Sequence, residues 1–153
     1  MSSWILVGTV LVAAVTGWVA FLLGARRGGP RPSASIGEGL RAAEARAGRL
    51  LVVFVAGGDA ARWRLGPHPE PVLRVLDDPK LAWTVIAVDD GGEVARGLFE
   101  KHARAPMPPG LPLVLLLDAR GRPIATGHPP EGQDGWLAGW LAGQPRQAVE
   151  PAP

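Results

Sequence analysis

The chain has 153 residues, a formal charge of +2 and no cysteine. That length suits one domain with appendages, and the missing thiol excludes disulfides, cysteine catalysis and cysteine-ligated zinc. Of the 16 basic residues, 14 are arginine and 2 lysine; they form no dense basic cluster, so no nucleic-acid partner is expected.

Residues 4–23 carry no charge. A helix of that length spans the roughly 30 Å of a bilayer's hydrocarbon core. No basic segment precedes the run and no cleavage site follows it, so it is expected to be a retained anchor, not a removed signal. The anchor is assigned to residues 1–25, giving a single-pass membrane protein. Arg26, Arg27 and Arg31 flank its C-terminal side. The positive-inside rule then places the soluble part in the cytoplasm, with the extracytoplasmic side as the alternative. Thr9, Ala13 and Gly17 make a small-residue stripe, of the kind that packs two spans together.

Residues 26–35 form a Pro/Gly linker. Ser35 and Glu38 have capping-box spacing before a helix over about 36–47, with Ile36, Leu40, Ala43 and Ala47 on one face. Gly37 to Ala42 matches a dinucleotide-binding pattern by chance, because a linker stands where that motif needs a strand. Residues 50–56 are a continuous apolar run, a strand buried on both faces. A Gly-Gly loop over 57–62 follows, leading toward a helix. Asp59 is placed to cap that helix and Arg62 to pair with it.

Pro71 opens a second helix with Val72, Leu73, Val75 and Leu76 as its apolar face, and Asp77-Asp78-Pro79 is a turn. Residues 83–88 form the next buried strand. Asp90 then caps a helix with Val94, Leu98, Phe99 and His102 on one stripe. Residues 113–117 and 123–126 form a hairpin around a turn at 118–122. Asp134 caps a last helix whose apolar face is Trp136, Leu137, Trp140 and Leu141. The tail, 143–153, is expected to be disordered. His68, His102 and His128 are far apart with no carboxylate at ligand spacing, so no metal site is expected, and no cofactor motif occurs.

The order of these elements, over residues 36–142, resembles the thioredoxin family. Four stretches carry the resemblance: 51–56 leading into the site loop, 73–80, the strand Val85-Ile86-Ala87-Val88-Asp89, and above all Gly110-Leu111-Pro112-Leu113-Val114-Leu115-Leu116-Leu117-Asp118-Ala119-Arg120-Gly121. The resemblance implies an α/β three-layer sandwich, with a mixed central sheet and helices on both faces, preceded by one transmembrane helix. It implies a cis Leu111–Pro112 peptide. The family's Trp-Cys-x-x-Cys motif falls on Gly58, Asp59, Ala60, Ala61 and Arg62, a degenerate active-site loop. Neither Asp59 nor Arg62 supplies a thiolate, so thiol–disulfide exchange is excluded.

In the family an extended substrate pairs with the backbone beside the cis-proline. By resemblance, Leu111, Pro112 and Gly127 are therefore candidate peptide-binding residues. The expected function is a membrane-anchored, non-catalytic protein-binding or assembly module. The alternative is a non-redox enzyme with Asp59 as acid/base and Arg62 as an anion clamp.

Overall fold

The computed structural model describes residues 31–149. The predicted span 4–23, its small-residue stripe and the Arg26/Arg27 flank lie outside these residues. Among the described residues no helix is long and apolar enough to cross a membrane. The elements run α1 (Ile36–Ala45), β1 (Arg49–Ala56), α2 (Gly57–Leu65), α3 (Glu70–Leu76), β2 (Leu81–Val88), α4 (Glu93–Ala103), β3 (Leu113–Asp118), β4 (Pro123–Gly127) and α5 (Trp136–Ala142).

The four strands form one mixed sheet in the order β2-β1-β3-β4. β1 pairs with β2 in parallel, from Arg49 opposite Leu81 to Ala56 opposite Val88. β3 pairs antiparallel with both β1 and β4. Because successive strand residues point to opposite faces, β1 feeds two cores. Leu51, Val53 and Val55 pack with Ala60 of α2, Val72 and Leu76 of α3, and Leu137 and Leu141 of α5. Leu50, Val52 and Phe54 pack with Ile36 and Ala43 of α1 and with Ala95, Phe99 and Ala103 of α4. The result is three layers, and it explains why β1 reads as an unbroken apolar run.

Local signals set the entry to the domain. The Ser35 hydroxyl accepts a hydrogen bond from the Glu38 amide at 3.1 Å, the cap expected of it. Just before it, the Ser33 amide donates to the Trp83 carbonyl, and the Thr84 hydroxyl donates to the Ser33 carbonyl, each at 2.8 Å. The end of the linker is thus pinned to the outer edge of β2.

Three expected caps are absent. Ala56, Gly92 and Gly135 occupy the N-cap positions of α2, α4 and α5, and none makes a side-chain cap hydrogen bond. Asp59 sits inside the first turn of α2, not before it. The chain passes from β1 straight into α2 with no intervening loop. Gly57 permits this, because a Cβ there would collide with the Asp89 carboxylate.

The stripe of α4 is also rotated from its expected position. Ala95, Phe99 and Ala103 are buried, whereas Val94 is 81% exposed. Phe99 takes the deepest site, and the alanines four residues either side of it let the helix lie close to the sheet. β2 starts two residues earlier than expected, since Leu81 and Ala82 continue the pairing with β1.

Part of the tail, residues 143–149, makes contacts with the domain. Arg49 of β1 donates to the carbonyls of Leu141, Gln144 and Pro145 at 3.4–3.5 Å. The Ala148 amide donates to Asp118 Oδ2 at 3.1 Å. The tail is held by partners distant in sequence, which its Pro-rich composition does not reveal.

Candidate functional site

The Leu111–Pro112 peptide is cis, and so is Gly66–Pro67. Both lie at the same end of the sheet, where they border a cleft of about 640 Å³. One wall comes from α2 and the segment after it, through Asp59, Arg62, Trp63, Pro67 and His68. A second is Leu111 and Pro112 at the start of β3, and a third is the loop 129–134 leading to Leu137 of α5. Val72 of α3 contributes to the floor. Leu111 is 41% exposed. Among the described residues no hydrogen bond takes up its backbone amide or carbonyl. The carbonyl of the next residue, Pro112, lies 3.2 Å from His128 Nδ1.

Leu111 also borders a second hollow of about 430 Å³ on the opposite side of the sheet, formed with Val88, Asp89, Arg96 and Met107. It therefore stands as a ridge between two depressions, with its polar backbone groups unspent.

The expected site residues separate into three groups. Asp59, Arg62, Leu111 and Pro112 converge on the cleft. Ala60 is 3% exposed and belongs to the core beneath α2. Gly58 lies away from the cleft, beside Asp89 and Asp90, and Ala61 is exposed on α2 outside the cleft lining. Gly127 lies outside the cleft lining too. A Cβ there would stand 2.8 Å from a Trp136 ring carbon and 3.0 Å from Trp140 Nε1. Its lack of a side chain is what lets β4 receive this stacked tryptophan pair, whose ring centres are 5.5 Å apart. Gly127→Ala is accordingly expected to lower stability by about 1–3 kcal/mol through overpacking, which a urea titration would measure. An unchanged midpoint would contradict the packing role.

Asp59 and Arg62 approach at 3.9 Å, with side chains 56% and 71% exposed. An ion pair of that kind contributes at most about 1 kcal/mol. The acid/base alternative expects Asp59 to be buried in the cleft, and its side chain is largely exposed instead. Among the described residues no group of three or more His, Asp or Glu is arranged to hold a metal.

Sequence reasoning missed Trp63 and His68. His68 sits between two indoles, with ring centres 5.7 Å from Trp63 and 6.0 Å from Trp83. Its Nε2 is buried with no hydrogen-bond partner. Burial holds the imidazole pKa below its usual 6.5; a hydrogen bond to the Trp63 backbone opposes this and the nearby Arg62 charge adds to it. His102 is shifted the same way, by burial and then by Lys101.

A base that protonates more readily when unfolded makes stability fall as pH drops through its unfolded pKa, here near 6.5, toward the lower folded value. Above that range the stability is fully present. His68→Phe should change the stability measured at about pH 8 by no more than about 1 kcal/mol, because removing the unpaired buried nitrogen offsets the lost hydrogen bond to the Trp63 backbone. It should also reduce the loss between about pH 7 and 5, leaving the part due to His102. Urea titrations at both ends of that range would show it. An unchanged slope would contradict the buried, neutral His68.

No protein-family model and no curated protein sequence matches this chain. A solved structure described as DsbH oxidoreductase superposes on it with a TM-score of 0.52 at 11% sequence identity, covering 75% of this chain and 85% of that one. At that identity the likeness speaks for the fold alone. The domain has a thioredoxin-like α/β fold, in a chain that contains no cysteine.

Proposed function

We propose that this protein is a membrane-anchored, redox-inactive thioredoxin-like module that binds a partner protein through an extended segment laid beside Leu111. The observation that carries this is the unspent backbone of Leu111, raised between two hollows next to the Leu111–Pro112 cis bond. Strand addition of this kind draws affinity from main-chain hydrogen bonds and specificity from pockets for alternate side chains. It needs no thiol, which suits a chain with none. The uncharged run at residues 4–23 supports the anchor, and Arg26, Arg27 and Arg31 favour a cytoplasmic domain. A topology reporter fused after Pro153 decides the side.

The binding test is capture of partners by the full chain in mild detergent, compared with Leu111→Asp and Arg62→Ala. Leu111→Asp puts a charge on the ridge and is expected to reduce capture at least about tenfold, the loss typical of a disrupted interface anchor. Arg62 stands in the cleft wall but is highly exposed, so Arg62→Ala should cost no more than about threefold. No capture above background, or capture indifferent to Leu111→Asp, would overturn the proposal.

A further inference from the structure

The two hollows beside Leu111 differ in charge. The larger cleft holds three carboxylates, Asp59, Glu131 and Asp134, against one guanidinium, Arg62. Among the described residues neither Glu131 nor Asp134 has an ion pair or a hydrogen bond, and the Asp59–Arg62 pair is long and exposed. Its floor is apolar and aromatic, with Val72, Leu137 and Trp63. The smaller hollow carries Asp89 and Arg96, which balance, together with the thioether of Met107.

The hollows lie toward opposite faces of the sheet, and adjacent residues of an extended segment point to opposite sides. A segment crossing the Leu111 ridge would place one side chain in each. We propose that the site selects extended partner segments in which an arginine or lysine stands next to an apolar residue, the cation seated among Glu131, Asp134 and Asp59 and the apolar side chain against Met107. This rests on the peptide-binding reading of the site. The aromatic floor adds to the selection, because an indole face attracts a cation, and a partner carrying Asp or Glu at that position would meet repulsion.

The test is selection of a randomised 12-residue peptide library, displayed on phage, on the full chain in detergent. Recovered peptides should be enriched in Arg or Lys beside Leu, Ile, Val, Phe or Met, and depleted in Asp and Glu. Changing the basic residue of the best peptide to Glu should weaken binding about tenfold by fluorescence polarisation, the sum of several exposed charge contacts. The double variant E131Q/D134N removes charge from two exposed side chains, and in it the same change should cost less than about threefold. Peptides recovered without charge preference, or a tenfold penalty that survives in the double variant, would overturn the charge selection alone. Recovery of no peptide above an unrelated control protein would overturn both this inference and the peptide-binding reading.

Discussion

Asp118→Ala should destabilise the domain by about 3–5 kcal/mol, from the loss of buried, charge-assisted hydrogen bonds. The Asp118 side chain is 1% exposed. It accepts hydrogen bonds from the amides of Arg120 and Arg122 and from Arg122 Nε, each at 2.9 Å, and from the Ala148 amide at 3.1 Å. One carboxylate therefore closes the β3–β4 turn and ties down the tail. Alanine would leave three backbone amides without their acceptor at once. Asparagine keeps one acceptor oxygen and should cost less.

Burial alone would raise the Asp118 pKa, but the hydrogen bonds from Arg122, Ala148 and Arg120 outweigh it and hold it below its usual 3.8. The resulting stability is fully present above that unfolded value and is lost as pH falls through the lower folded one. The wild-type chain should lose stability below about pH 4 more steeply than Asp118→Asn. Urea midpoints across that range check both statements. A loss under about 1 kcal/mol for Asp118→Ala would contradict the assignment.

Phe99→Ala should cost about 3–5 kcal/mol, the range for truncating a buried aromatic. Phe99 is 1% exposed and meets Phe54 edge-on, with ring centres 5.5 Å apart. The alanines at 95 and 103 cannot swell to fill the space it leaves. Val94, on the stripe that the sequence predicts to be buried, is 81% exposed, so Val94→Ala should stay within about 0.5 kcal/mol. The pair measures the rotation of α4 directly: similar losses for both would mean that the helix faces the sheet differently. Domains of this size have about 5–15 kcal/mol of total stability, so Phe99→Ala or Asp118→Ala alone removes a large share.

Features set by neighbours in sequence are legible in the sequence itself. Ser35 caps α1 because its acceptor reaches an amide three residues on. β1 was clear because both of its faces are buried. The alternation of such runs with helical stripes sets out an order of elements, and that order together with the 110–121 stretch carries the resemblance to the thioredoxin family.

Features that differ from the sequence expectation are set by tertiary contact. The Gly-Gly pair reads as a loop, yet α2 begins there because Gly57 fits beneath Asp89. The aspartates at 59, 90 and 134 have capping chemistry but lie off the N-cap positions that packing selects. The tail meets Asp118 through a hydrogen bond between residues thirty apart in sequence. Among the residues lining the cleft, Asp59, Arg62, Leu111 and Pro112 were legible as candidates in the sequence. Trp63, His68, Glu131 and Asp134 were not, because only the folded chain brings α2, the start of β3 and the 129–134 loop together.

Non-covalent binding of an extended segment at Leu111 is the function proposed for this thioredoxin-like domain. Amide hydrogen exchange of the full chain in detergent, with and without a peptide selected from the library, tests it most directly. Strand addition predicts slowed exchange at Leu111 and in the flanking 107–113 segment, with smaller protection in α2 and the 129–134 loop. Protection confined to α1, the outer edge of β2 or the tail, with Leu111 unchanged, would contradict it.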